Sequence, residues 1–103
     1  MRIAITGARG QLGRTLCRRL SDYELLATDV DEMDIRDAET VNKTLVDFKP
    51  DVTIHCAAMT DVDACETQKD NAFALNAEGA ANVARACESA GSRLIALSTD
   101  YVF

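Results

Sequence analysis

Gly7, Gly10 and Gly13 stand at the spacing G-x-x-G-x-x-G, directly behind the apolar run Ile3-Ala4-Ile5 and at the head of an amphipathic stretch. Glycines at that spacing let a backbone turn sharply out of a buried strand and approach a ligand closely. The helix that follows presents unpaired N–H groups and about half a positive charge at its start, so a turn that aims those groups outward is a ready anion site, and a diphosphate is the ligand implied. Asp29 closes the next apolar run about twenty residues later, where a carboxylate can accept hydrogen bonds from ribose hydroxyls and repels a 2′-phosphate. The competing reading of Asp29 is an ordinary solvated acid, because Asp31, Glu32 and Asp34 crowd the same loop. Arg9, inside the turn, can meet such a phosphate if its side chain folds back. His55 ends a third apolar run and reads as a packed or surface imidazole rather than a catalyst.

These residues need a scaffold of alternating strands and helices. Leu12, Leu16, Cys17 and Leu20 recur at helical spacing, with Arg14, Arg18 and Arg19 on the other side. Glu24 to Thr28 reads as a second strand. Asp37 is a plausible N-cap for a helix whose Ala38, Val41, Leu45 and Phe48 line one face, and Pro50 stops it. Asp51 to Cys56 gives a third strand. A long helix over about Asn71 to Ala90 follows, with Phe73, Ala77, Ala80, Ala84 and Cys87 on its expected buried face and Gly91 as its cap. Within it, Gly79 permits close packing of the helix on the sheet, and Asn76 needs hydrogen-bond partners. Arg93 to Ser98 is the fourth strand. The pattern predicts an α/β fold, a Rossmann-like doubly wound parallel sheet of order 3-2-1-4, truncated after the fourth strand. In that order the glycine turn, Ala57-Ala58 and Ser98-Thr99 open into one crevice.

At 103 residues the chain is expected to be one domain at most, the N-terminal part of a NAD(P)-binding unit with no second domain. A formal charge of −6 argues against nucleic acid or an anionic membrane surface as partner. No run of residues reaches the length of a membrane span and no basic, apolar leader opens the chain, so a cytoplasmic location is expected. Cys17, Cys56, Cys65 and Cys87 lack C-x-x-C spacing and read as reduced core thiols; a metal site at His55, Cys56 and Cys65 lacks paired ligand spacing, and none is expected.

The segments TGARGQLG (Thr6 to Gly13), CAAMTDVDACE (Cys56 to Glu66), LNAEGAANVA (Leu75 to Ala84) and STDYVF (Ser98 to Phe103) together resemble the N-terminal part of the dTDP-4-dehydrorhamnose reductases, an extended-type family of the short-chain dehydrogenase/reductase superfamily. The resemblance spans the whole chain. It implies NADPH or NADH as cofactor, and reduction of the C4 ketone of a dTDP-linked sugar to give dTDP-L-rhamnose for polysaccharide. By the same resemblance Gly10, Gln11 and Leu12 border the diphosphate, Asp29 the adenosine ribose, and Asp34 with Ile35 the adenine edge. Ala57, Ala58 and Met59 border the cofactor between ribose and diphosphate, although relatives commonly carry an aromatic or histidine in place of Met59. Leu97 touches the nicotinamide half, Thr99 bonds the reacting carbonyl or the catalytic phenol, and Asp100 contacts substrate. Mg2+ and a homodimer of the complete protein are implied on the same footing. The family's proton donor is a tyrosine with a lysine four residues on, and neither Tyr23 nor Tyr101 has one, so the 103 residues alone should not turn over. Two other readings share this half-site: a non-catalytic NAD(P)-binding regulator, and another extended-type enzyme such as a sugar epimerase or dehydratase.

Overall fold

A computed structural model describes residues 1–29, 32–56 and 69–96, without the side chains of 69–76. Among the described residues four strands and three helices alternate: β1 (Arg2–Thr6), α1 (Gln11–Arg19), β2 (Glu24–Thr28), α2 (Ala38–Phe48), β3 (Val52–His55), α3 (Lys69–Ala90) and β4 (Arg93–Ala96). All strands are parallel. Ile5 faces Ala27 on one side and Ile54 on the other, and Ile54 faces Ile95 in turn.

The two-residue period of β1 divides the core. Ile3 and Ile5 point to one face, where Leu12, Leu16 and Cys17 of α1 and its C-cap Leu20 cover them together with Ile54 and Cys56. Ala4 points to the other, against Val41 and Leu45 of α2 and Val83, Ala86 and Cys87 of α3, with Met33 filling the same cluster. Both faces of a parallel sheet are thereby buried around β1.

The sheet order is β2-β1-β3-β4, which corrects the expected 3-2-1-4 while leaving the doubly wound parallel architecture in place. The difference begins after β2. There the chain turns instead of winding outward: Met33 N–H donates to the Asp29 carbonyl at 2.8 Å and Asp37 N–H to the Asp34 carbonyl at 3.0 Å. Helix α2 then crosses back over β1 and delivers β3 to the free edge of β1. A right-handed crossover that reverses direction must use the opposite face, which is why α1 lies on one face and α2 on the other. The next crossover keeps its direction, and α3 stays beside α2. The connections leaving β1 and β3 therefore diverge, and the switch point lies between these two strands, not between β1 and β4.

The helix ends follow the local chemistry. Asp37 caps α2 by accepting from Thr40 N–H at 3.3 Å. Lys49 ends α2 at φ 53°, just before Pro50, a residue whose ring disfavours right-handed helix in its predecessor. Gly91, at φ 71°, ends α3, and Ser92 N–H reaches back to the Cys87 carbonyl at 2.9 Å.

The buried stripe of α3 differs from the expected one. Gly79, Asn82, Val83, Ala86 and Cys87 face inward, whereas Ala77 and Ala84 are exposed. Alanine suits either face, so Val83 and the small Gly79 decide the rotation. Gly79 also packs on the Ile35 side chain of the loop before α2 rather than on the sheet. In α2, Val41 and Leu45 are buried as expected, while Ala38 is exposed.

Candidate dinucleotide site

The turn between β1 and α1 is built by three glycines with three different duties. Gly7 sits at φ 66°, a conformation that a side chain would strain. Gly13 lies so close to the turn that an added Cβ would fall 2.2 Å from the Gly7 carbonyl oxygen and 2.8 Å from the Ala8 Cα. Gly10 is different. A Cβ there would meet only the Gly7 carbonyl oxygen, at 3.3 Å, a tight contact but far milder than the overlap at Gly13.

Gly10 is the N-cap of α1, in extended conformation (φ −69°, ψ 168°), and it supplies no side-chain cap. No acidic residue stands in the first turn of the helix. The first helical bond runs from Arg14 N–H to the Gly10 carbonyl at 2.9 Å, which leaves the N–H groups of Gln11, Leu12 and Gly13 without intrahelical acceptors. A polarised N-terminus with no carboxylate of its own is suited to an anion of two phosphates. The turn is held to the sheet by Ala8 N–H, which donates to the Thr28 carbonyl at 2.9 Å.

Asp29 follows β2 directly and accepts from the Arg9 N–H at 3.0 Å, so the acid and the turn form one rim. Glu32 completes it. Its carboxylate accepts from the Asp29 N–H at 3.0 Å and pairs with the Arg9 guanidinium. Those two contacts, the Asp29 N–H foremost, hold the Glu32 carboxyl below the usual range. Sequence reasoning counted Glu32 only among the crowding acids; its position three residues after Asp29, where a side chain can reach back to a backbone N–H, was the available signal. Further along, both oxygens of Asp34 pair with Arg36, at 2.9 Å to Nε and 2.7 Å to Nη2. That guanidinium holds the Asp34 carboxyl down to about 2. Ile35 leans on the α2–α3 side of the core.

Under the turn, at the end of the β1–β3 pair, the Thr6 hydroxyl lies 2.7 Å from His55 Nδ1 and accepts from the Cys56 N–H at 3.1 Å. His55 is only 1% exposed, and its Nε2 is buried without a hydrogen-bond partner. Burial pushes the imidazole's pKa below its usual value, so it stays neutral around pH 7. The geometry is that of a packed histidine joining two strands.

The rim brings Gly7, Gly10, Gln11, Leu12, Gly13 and Asp29 together; Asp34 and Ile35 lie farther along the same loop. Ala57, Ala58, Met59, Leu97, Thr99 and Asp100 lie outside the described residues. Because β3 separates β1 from β4, the end of β4 stands two strands from Thr6, about 10 Å away, rather than next to it. Among the described residues no three His, Cys, Asp or Glu side chains converge as a metal site, and no helix is long and apolar enough to cross a membrane.

The family model described as the RmlD substrate binding domain matches residues 1–103. The chain belongs to the RmlD substrate binding domain family. A dTDP-4-dehydrorhamnose reductase of Aggregatibacter actinomycetemcomitans is 43% identical over 105 residues, covering 99% of this chain and 36% of that protein. The solved dTDP-4-dehydrorhamnose reductase of Clostridium acetobutylicum superposes with a TM-score of 0.88 at 48% identity, over 100% of this chain and 38% of that one. The Bacillus anthracis dTDP-4-dehydrorhamnose reductase, solved in complex with NADP, superposes with a TM-score of 0.87 at 41% identity, over 99% of this chain and 37% of that one. This RmlD-family chain thus spans little more than a third of the length of the relatives it matches.

Proposed function

We propose that the chain is the dinucleotide-holding part of an NAD(P)H-dependent reductase that acts on the 4-keto group of a dTDP-linked 6-deoxy sugar. The observation that carries this reading is Gly10. It stands at a helix start with open N–H groups and no acidic residue, and a Cβ there would meet only one atom, the Gly7 carbonyl oxygen at 3.3 Å, instead of the several backbone clashes at Gly13. The relatives, dTDP-4-dehydrorhamnose reductases, supply the sugar.

In this reading the N–H groups of Gln11 and Leu12 hold the diphosphate, with Gly7 and Gly13 shaping the turn. Asp29 orients the adenosine ribose, and Asp34 with Ile35 borders the adenine. Ala57, Ala58 and Met59 line the path between them, and Leu97 meets the nicotinamide end. The bound nicotinamide supplies a hydride to the C4 carbonyl carbon. Negative charge then builds on the ketone oxygen, and the Thr99 hydroxyl is the donor on this chain that meets it, with Asp100 contacting the sugar. Protonation of that oxygen falls to a Tyr-x-x-x-Lys pair outside these 103 residues, the lysine lowering the phenol's pKa.

The test uses the full-length protein, incubated with NADPH or NADH and dTDP-4-dehydrorhamnose. The expected result is oxidation of the reduced nicotinamide matched one-for-one by loss of the ketone. Tight dinucleotide binding without turnover would favour a regulator instead, and an epimerised or dehydrated sugar with no net oxidation would favour the other sugar enzymes.

The rim also makes a prediction about cofactor choice. Glu32 holds the Arg9 guanidinium and adds a second carboxylate beside Asp29, which disfavours a 2′-phosphate. Glu32→Gln removes that charge and loosens Arg9. The ratio of kcat/KM for NADPH over NADH should rise severalfold, about fivefold at most, as suits an exposed ion pair. An unchanged ratio would mean that Arg9 does not reach the ribose.

A further inference from the structure

The loop that carries Asp34 and Ile35 is held by a set of contacts from α3. Asn82 is 4% exposed, and its Nδ2 donates to the Ile35 carbonyl at 2.9 Å. Arg85, one turn on, donates from Nη2 to Asn82 Oδ1 at 2.7 Å, which fixes the amide with its NH2 toward the loop. Gly79, one turn before, lets the Ile35 side chain lie on the helix itself, since a Cβ there would fall 2.5 Å from Ile35 Cδ1. Three residues at helical spacing, 79, 82 and 85, therefore grip one residue of a loop 47 positions away from Asn82 in sequence.

The grip has a directional consequence. The Asp34 carbonyl is turned into the loop, accepting from Asp37 N–H at 3.0 Å, and the peptide to Ile35 is trans. The Ile35 N–H on that peptide must point the opposite way. Among the described residues this N–H has no hydrogen-bond partner. A loop fixed at both carbonyls and carrying an outward donor is prepared for an acceptor on a flat ligand.

We infer that Asn82 is a positioning residue for base recognition: held by Arg85, it fixes the Ile35 peptide so that its N–H donates to a ring nitrogen of adenine. This rests on the proposed placement of adenine beside Asp34 and Ile35. The chemistry predicts discrimination at the base. Adenine offers an unprotonated ring nitrogen next to its amino group, whereas hypoxanthine carries a proton on that nitrogen and would set donor against donor. A site built around one such donor rejects the mismatched partner strongly, provided the donor is held still.

The experiment measures, on the full-length protein, the affinity for NADH and for its hypoxanthine analogue, with thermal unfolding alongside. The wild type should prefer adenine by at least tenfold. Asn82→Asp keeps the volume but turns an oxygen toward the Ile35 carbonyl, and Arg85→Leu frees the amide from a side chain on the surface, where folding is little affected. Both should cut the preference at least fivefold, mainly by weakening NADH. A purely structural role would lower thermal stability and leave the ratio alone. Retention of the full preference in Arg85→Leu, and in Asn82→Asp where it folds, overturns the role of Asn82 while leaving the adenine placement standing. Equal affinity of the wild type for the two bases overturns the adenine placement and this inference together.

Discussion

Gly13→Ala should destabilise the full-length protein by about 3 kcal/mol and abolish dinucleotide binding. In an ordinary helix the same change stabilises by about 1 kcal/mol, because alanine is the better helix former. Here the new Cβ would sit 2.2 Å from one backbone oxygen and 2.8 Å from a backbone carbon. Backbone atoms of a tight turn cannot swing aside as a side chain can, so overpacking outweighs propensity. Gly10→Ala is the control that separates folding from binding. Its φ of −69° suits alanine, and its Cβ would need the Gly7 carbonyl oxygen, at 3.3 Å, to give by only a few tenths of an ångström, where Gly13 would need more than one. Stability should change by less than about 1 kcal/mol, the scale of an N-cap substitution, while NADH affinity falls at least about tenfold because the methyl group occupies the phosphate approach. Urea unfolding and titration calorimetry on both variants decide the matter. Undiminished NADH binding by Gly10→Ala would remove the turn from the site.

Thr6→Val should cost about 2 kcal/mol of stability, read by urea unfolding. Valine matches threonine in shape but leaves His55 Nδ1 buried without a partner, next to an Nε2 that already has none. The Cys56 N–H is less affected, since it also reaches the Thr6 carbonyl, at 3.2 Å. Thr6→Ser keeps the hydroxyl and should recover most of the loss. The pair also sets an acid limit. Burial lowers the His55 pKa in the folded protein, so below the unfolded value of 6.5 the unfolded chain takes up the proton first. Stability is therefore lost as pH falls from about 6.5 toward the lower folded value. His55→Gln should flatten that part of the stability profile; an unaltered profile would mean that His55 does not titrate there.

Much of the glycine turn was legible because its requirements are local. The glycine spacing, the apolar strand before it and the amphipathic helix after it lie within the first twenty residues, and the alternation in Ile3-Ala4-Ile5 divides the two faces of the sheet as observed. The caps at Asp37 and Gly91 were equally readable, since a side-chain acceptor or a left-handed glycine acts on its immediate neighbours. The rim around Arg9 was less so. Asp29 was identifiable from its distance along the chain, but the pairing of Arg9 with Glu32 spans 23 positions and depends on how the loop after β2 turns back.

The sequence by itself determined the elements and the glycine turn, because backbone conformation and helix polarity are set by residues close together in the chain. Only the tertiary structure decided that β3 lies beside β1, that α3 turns Val83 inward in place of Ala84, and that Asn82 and Gly79 serve the Ile35 loop. A two-residue period says which face a strand side chain takes but not which strand lies next to it. An alanine-rich helix fits either way round until a partner fills the space against it. Those choices rest on contacts between residues distant in sequence, and they become fixed when the crossover returns over β1 and the core closes.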